Sequence, residues 1–179
     1  MNNYNNKLPY VLCVSGHKNS GKTALIEALL PLLSARGVRT AVVKHHGHGF
    51  GDELPDKPGT DTYRFLANGA CGTVIYDNDM FALVRKSQAS TRELVSLFPD
   101  ADLVIIEGAK EEPYPRIAML RTGRPLTGET ETLLCAVTDP DYHISGLPDG
   151  LPRFDFGDFV SVAAFILDLL ENETFIFSD

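Results

Sequence analysis

The chain has 179 residues, 44% hydrophobic and 22% charged, which is the balance of a soluble globular protein with one core and predicts a single domain over residues 1–179. Sixteen Lys and Arg stand against 24 Asp and Glu, a formal net charge of −8, and this argues against broad nucleic-acid or anionic-membrane binding, which needs a positive field. No apolar run is long enough to span a bilayer, and the N-terminus lacks the apolar core of a signal peptide. The three cysteines, Cys13, Cys71 and Cys135, are widely spaced in apolar segments, so reduced core thiols and a cytoplasmic setting are expected.

Tyr10 to Val14 is a short apolar run after Pro9 and reads as a strand buried on both faces. From Gly16 to Thr23 the letters fit G-x-x-x-x-G-K-[ST], the Walker A signature of a P-loop. Ala24, Leu25, Ala28, Leu29, Leu32 and Leu33 then recur at helical spacing before Gly37 stops the helix. Strand, glycine-rich turn and helix in that order are the context in which the motif cradles phosphate. Gly16 and Gly21 let the backbone approach the ligand. His17, Lys18, Asn19 and Ser20 line the loop, and the helix adds its positive end. Lys22 is expected to bridge the β- and γ-phosphates, and the Thr23 hydroxyl to ligate Mg²⁺.

Val38 to Val43 reads as a second strand with Lys44 at its carboxyl end, where a second positive charge can face the γ-phosphate or can stand exposed. A Gly- and His-rich loop follows, "HHGHGFGDELPDKPG", long enough to be functional. His45, His46 and His48 raise zinc, but a structural site wants four ligands and no cysteine lies near. Thr60 opens a short helix ending at Gly69. Its Asp61 reads equally as a first-turn acid or as a Mg²⁺ ligand. "GTVIYD" and "MFALVR" around Asn78 and Asp79 predict a β-hairpin inside the sheet.

A helix from about Thr91 to Phe98 precedes "DLVIIEG". There Glu107 leaves a buried strand beside Gly108, where it can reach Mg²⁺ or form an ion pair with Lys110 or Arg116. "RIAML" and "LLCAV" are further strands. Asp139, after the last of them, can accept from guanine N1–H and N2–H₂ or serve as a turn acid before Pro140. Asp158 caps a final helix ending near Glu171. Alternating strands and helices predict an α/β fold, P-loop NTPase-like, with a mostly parallel sheet, helices on both faces and a β-hairpin insertion. Ligands of such sheets lie beyond the carboxyl ends of the strands, where Gly16, Lys44, Glu107 and Asp139 all fall.

The blocks "SGHKNSGKT", "VVKHHGHGF", "DKPGTDTYRFLANGA" and "DLVIIEGAKEEPYPRI", in that order, resemble the molybdopterin-guanine dinucleotide biosynthesis adaptor (MobB) family over roughly Val11 to Arg121. The resemblance implies a GTP- and Mg²⁺-binding homodimer with weak GTPase activity, associated with a guanylyltransferase that joins GMP to molybdopterin. The layout of Lys44, Asp61 and Glu107 is also similar to that of dethiobiotin synthetase, where matching positions serve phosphate and Mg²⁺; this favours Asp61 as a ligand. His17 stands where some dimeric relatives carry a lysine, so a nucleotide shared between subunits is not implied. A small-molecule kinase or ligase is one alternative, and a metallochaperone GTPase using the histidines is another. With no arginine finger or water-orienting glutamine evident, slow hydrolysis is expected.

Overall fold

The structure is a computed structural model that describes residues 8–47, 56–109, 111–121, 130–140 and 146–172. Among these the elements are β1 (Tyr10–Gly16), α1 (Lys22–Ser34), β2 (Thr40–Lys44), α2 (Asp61–Ala67), β3 (Gly72–Tyr76), β4 (Phe81–Arg85), α3 (Thr91–Val95), β5 (Leu103–Glu107), β6 (Arg116–Leu120), β7 (Leu133–Thr138), β8 (Arg153–Asp155) and α4 (Phe159–Glu171). They divide into two compact units, residues 46–91 and the remainder of the chain.

The larger unit is a six-stranded sheet in the order β2-β5-β1-β6-β7-β8, with every neighbouring pair parallel. Parallel strands need both faces covered, and their sequences show it: every residue of β5 and β6 is buried. Alternate side chains separate into two layers. Leu12, Val14, Leu103, Ile105, Ile117, Met119, Cys135 and Val137 meet α1 and α4, which contribute Leu25, Leu29, Leu33, Val162 and Ile166. On the opposite face Val11, Cys13, Val104 and Ile106 pack with Val95 of α3. Each fully buried Leu or Ile in these layers is worth about 1.5–3 kcal/mol relative to exposure. Asp158 caps α4, its carboxylate accepting from the Ser161 N–H at 3.2 Å.

In the smaller unit Thr60 caps α2, accepting from the Tyr63 N–H at 3.2 Å. β3 and β4 pair antiparallel in a sheet of their own, so the expected hairpin is not part of the main sheet. The physical reason lies in its side chains. Val74, Ile75, Tyr76, Phe81 and Leu83 are exposed, whereas a strand inserted in the parallel sheet is buried on both sides. The turn itself falls at the expected Asn78–Asp79 pair: the Asp77 N–H donates to the Met80 carbonyl across it, and the Asp77 carboxylate accepts from the Asp79 and Met80 N–H groups.

Other expectations shift at their edges. β2 begins at Thr40 rather than Val38, and α3 ends at Val95, where turn hydrogen bonds from Leu97 and Phe98 take over. β8 was not anticipated; three residues carry no period. Cys13 and Cys135 are buried, and burial pushes both thiols up to about 12. Cys71, expected in the core, is exposed just ahead of the hairpin.

Candidate functional site

The register of the parallel strands decides which residues share an edge. Lys44 lies opposite Glu107, Gly16 opposite Met119, Leu120 opposite Thr138, and Thr138 opposite Asp155. The residues that end β1, β2, β5, β6, β7 and β8 therefore line one carboxyl edge, with the β1–α1 turn central to it. Asp102 marks the opposite edge, where its carboxylate takes the Arg39 N–H and guanidinium at 2.8–3.1 Å.

Both motif glycines are dictated by contact. Gly16 has φ +149°, and a Cβ there would stand 2.5 Å from the Met119 carbonyl oxygen; Gly21 has φ +92°, and its Cβ would meet the Phe156 ring at 2.6 Å. Between them Lys18 and Asn19 are exposed, Asn19 adopts the left-handed φ of 63° that Asn tolerates, and the Ser20 N–H donates to the His17 carbonyl. Gly21 leads into α1 with no side-chain cap, and no acid occupies the first turn. The first-turn amides, which have no partner within a helix, therefore keep their dipole for an external anion.

The Lys22 ammonium folds back over the loop and donates to the carbonyls of Gly16 (3.1 Å) and His17 (2.7 Å). Burial holds it below the usual lysine value of 10.5, opposed by Glu107 and reinforced by Lys44. Glu107 is 9% exposed, and its carboxylate faces two ways. Oε1 accepts from the Thr23 hydroxyl at 2.9 Å, and Oε2 meets the Lys44 ammonium at 3.2 Å. The ion pair considered with Lys110 or Arg116 thus forms with Lys44; Lys110 lies outside the described residues. His45 N–H donates to the Glu107 carbonyl and Gly108 N–H to that of Val14, which fixes the strand end and with it the carboxylate.

This donor set fits Mg²⁺. Oxygen ligands at 2.0–2.1 Å on adjacent corners of an octahedron stand about 2.9 Å apart, the spacing between Thr23 Oγ1 and Glu107 Oε1. Asp61 belongs to the smaller unit, where it occupies the first turn of α2 and pairs with Arg64 at 3.4 Å. Among the described residues no three His, Cys, Asp or Glu side chains gather as a metal cluster; His48 lies outside them.

Asp139 is half-buried and its carboxylate forms an ion pair with Arg121. The Arg121 guanidinium also lies over Phe156, its central carbon 3.5 Å from the ring centroid. Neither Arg121 nor Phe156 was singled out from the sequence. The available signal was positional, since each directly follows a strand whose carboxyl end faces the site.

A sequence profile described as MobB, molybdopterin guanine dinucleotide synthesis protein B, matches residues 11–139. A Bacillus subtilis protein described as a probable molybdopterin-guanine dinucleotide biosynthesis adapter protein is 32% identical over 167 residues, covering 92% of this chain and 95% of the relative. A Haemophilus influenzae adapter protein of the same description is 33% identical over 141 residues, 75% of this chain and 77% of its own. The crystal structure of Bacillus subtilis MobB superposes with a TM-score of 0.72 at 28% identity, covering 89% of this chain and 96% of that one. The sheet, the P-loop NTPase-like architecture and the matched span agree, and the chain belongs to the molybdopterin guanine dinucleotide synthesis protein B family.

Proposed function

We propose that the chain is a GTP-binding accessory protein of molybdopterin guanine dinucleotide synthesis. It holds GTP with Mg²⁺ at the β1–α1 loop and assists a guanylyltransferase that attaches GMP to molybdopterin, acting in the cytoplasm as a homodimer. The observation that carries this reading is the Thr23–Glu107 contact at 2.9 Å beside the Lys22 ammonium, at the foot of an uncapped helix. The names of the curated relatives support the pathway and the adapter role.

Each residue has a role in this reading. The loop amides from His17 to Thr23 and the Lys22 ammonium bind the polyphosphate, Lys22 exchanging two carbonyl partners for phosphate oxygens. Thr23 and Glu107 hold Mg²⁺, which when bound neutralises charge on the β- and γ-phosphates. Lys44, paired with Glu107, keeps a cation beside the terminal phosphate. Slow turnover accords with Arg121, whose guanidinium is engaged by Asp139 and Phe156. An adapter that carries its nucleotide to a partner has no need of fast hydrolysis.

Calorimetric titration with GTP and ATP, with and without Mg²⁺, tests the reading. The wild type should bind GTP more tightly with Mg²⁺, and Lys22→Ala should lose detectable binding while keeping its circular dichroism spectrum. Equal affinity in Lys22→Ala and wild type would remove the loop from the function.

A further inference from the structure

Arg121 makes two contacts and lies beside a third group, a combination that no structural need explains. Its guanidinium covers the Phe156 ring at 3.5 Å, donates to the Asp139 carboxylate, and brings Nη2 to 3.7 Å from the space a Cβ would fill at Gly21 of the phosphate loop. One side chain thus occupies an aromatic face, an acceptor and the edge of the nucleotide loop.

The chemistry of these surroundings is particular. A guanidinium is a planar fork of N–H donors. Guanine carries the same nitrogen–carbon–nitrogen unit at N1, C2 and N2, with an N1–H and an N2–H₂ donor side by side. An aromatic face with a carboxylate at its rim therefore suits either group: the face stacks any base, and the carboxylate selects the one that donates twice. Adenine sets a lone pair at N1 against that carboxylate. The placement also fits a nucleotide whose phosphates occupy the β1 loop. β7 is two strands from β1, about 10 Å at the usual spacing, and Asp139 and Phe156 follow β7 and β8 at the same edge.

The geometry points to Arg121 as an internal stand-in for guanine. In the free protein it occupies a base subsite made by Phe156 and Asp139, and a bound guanine nucleotide displaces it. This inference rests on the proposed nucleotide binding at the loop and adds to it the base-selecting residues and a built-in competitor. It assigns Phe156 to stacking, Asp139 to guanine selection and Arg121 to lowering affinity in the free state.

Calorimetry with GDP, ADP and xanthosine diphosphate on the full chain tests each role. Arg121→Gln should tighten GDP by about tenfold, because the half-buried ion pair and the cation–π contact no longer compete. Phe156→Ala should weaken GDP and ADP alike, by about tenfold, since stacking is blind to the base. Asp139→Asn should shift preference from guanine to xanthine, whose C2 carbonyl accepts from the new amide. Weaker GDP binding by Arg121→Gln would make Arg121 a phosphate ligand and overturn the inference. If Lys22→Ala loses GDP while the three variants keep wild-type affinity and base preference, the inference falls and the loop reading stands. If the wild type binds no nucleotide, both fall. Arg121→Gln and Asp139→Asn change half-exposed polar groups, so the test survives even if Phe156→Ala misfolds.

Discussion

Lys22 is held by two carbonyls and partly out of water, and burial lowers its pKa from 10.5. Its charged form is thus less stable in the free site than in water, and a polyphosphate reverses that balance by supplying opposite charge. The sign follows. As pH rises toward 10.5, Lys22 loses its proton before an ordinary lysine does, and nucleotide binding must restore that proton. GTP affinity should therefore fall through the alkaline range, with net proton uptake on binding. Titrations near pH 9 in two buffers of different ionisation enthalpy would measure the uptake. Lys22→Arg should abolish it, and buffer-independent heats in the wild type would contradict the argument. Lys22, Lys44 and Glu107 were legible in sequence because each follows a buried run or the loop motif, and parallel register brings such ends to one edge. The bridging of Thr23 and Lys44 by Glu107 was not legible, since it depends on rotamers of residues 84 and 63 positions away.

Elements with a strong period were read well and short ones poorly. α1 and α4 each run 13 residues with an apolar face, so their spacing outweighs local noise. β8 has three residues and exists because β7 offers a free edge to pair with, a tertiary fact absent from its letters; Phe156 and its contact with Gly21 were lost with it. The α4 cap was visible as an Asp ahead of an apolar run. Replacing Asp158 with Ala removes the acceptor for the Ser161 N–H and should cost about 1 kcal/mol, which for a protein of this size is a fall in Tm of roughly 2–4 °C. Because α4 packs on α1, its fraying would loosen the helix that carries Lys22. Thermal melts of Asp158→Ala and Asp158→Asn separate the effects: Asn, a comparable cap, should restore most of the loss, and equal melts for all three proteins would show the cap to be idle.

At the scale of the whole molecule the outstanding feature is the hairpin. Register puts Val74 opposite Leu83 and Tyr76 opposite Phe81, so these four side chains share one face of a two-stranded sheet, and they are 47–79% exposed. Isolated two-stranded hairpins are marginal in water, and aromatic residues that each bury 150–250 Å² when covered are costly to leave wet. A second copy of the chain presents the same four residues, and a two-fold axis would set each stripe on its equivalent. Homodimerisation through this face is therefore expected. Sedimentation should give a mass near twice the 19.6 kDa chain. Phe81→Glu together with Tyr76→Glu should yield a monomer that keeps its sheet and its Lys22-dependent GTP binding, because these exposed side chains take no part in any core cluster of the larger unit. Mixing this double Glu variant with an equal amount of a Phe81→Lys, Tyr76→Lys variant should restore part of the dimer through opposite charges across the axis. A wild-type monomer at tens of micromolar, or a double variant that still sediments as a dimer, would place the contact on another surface.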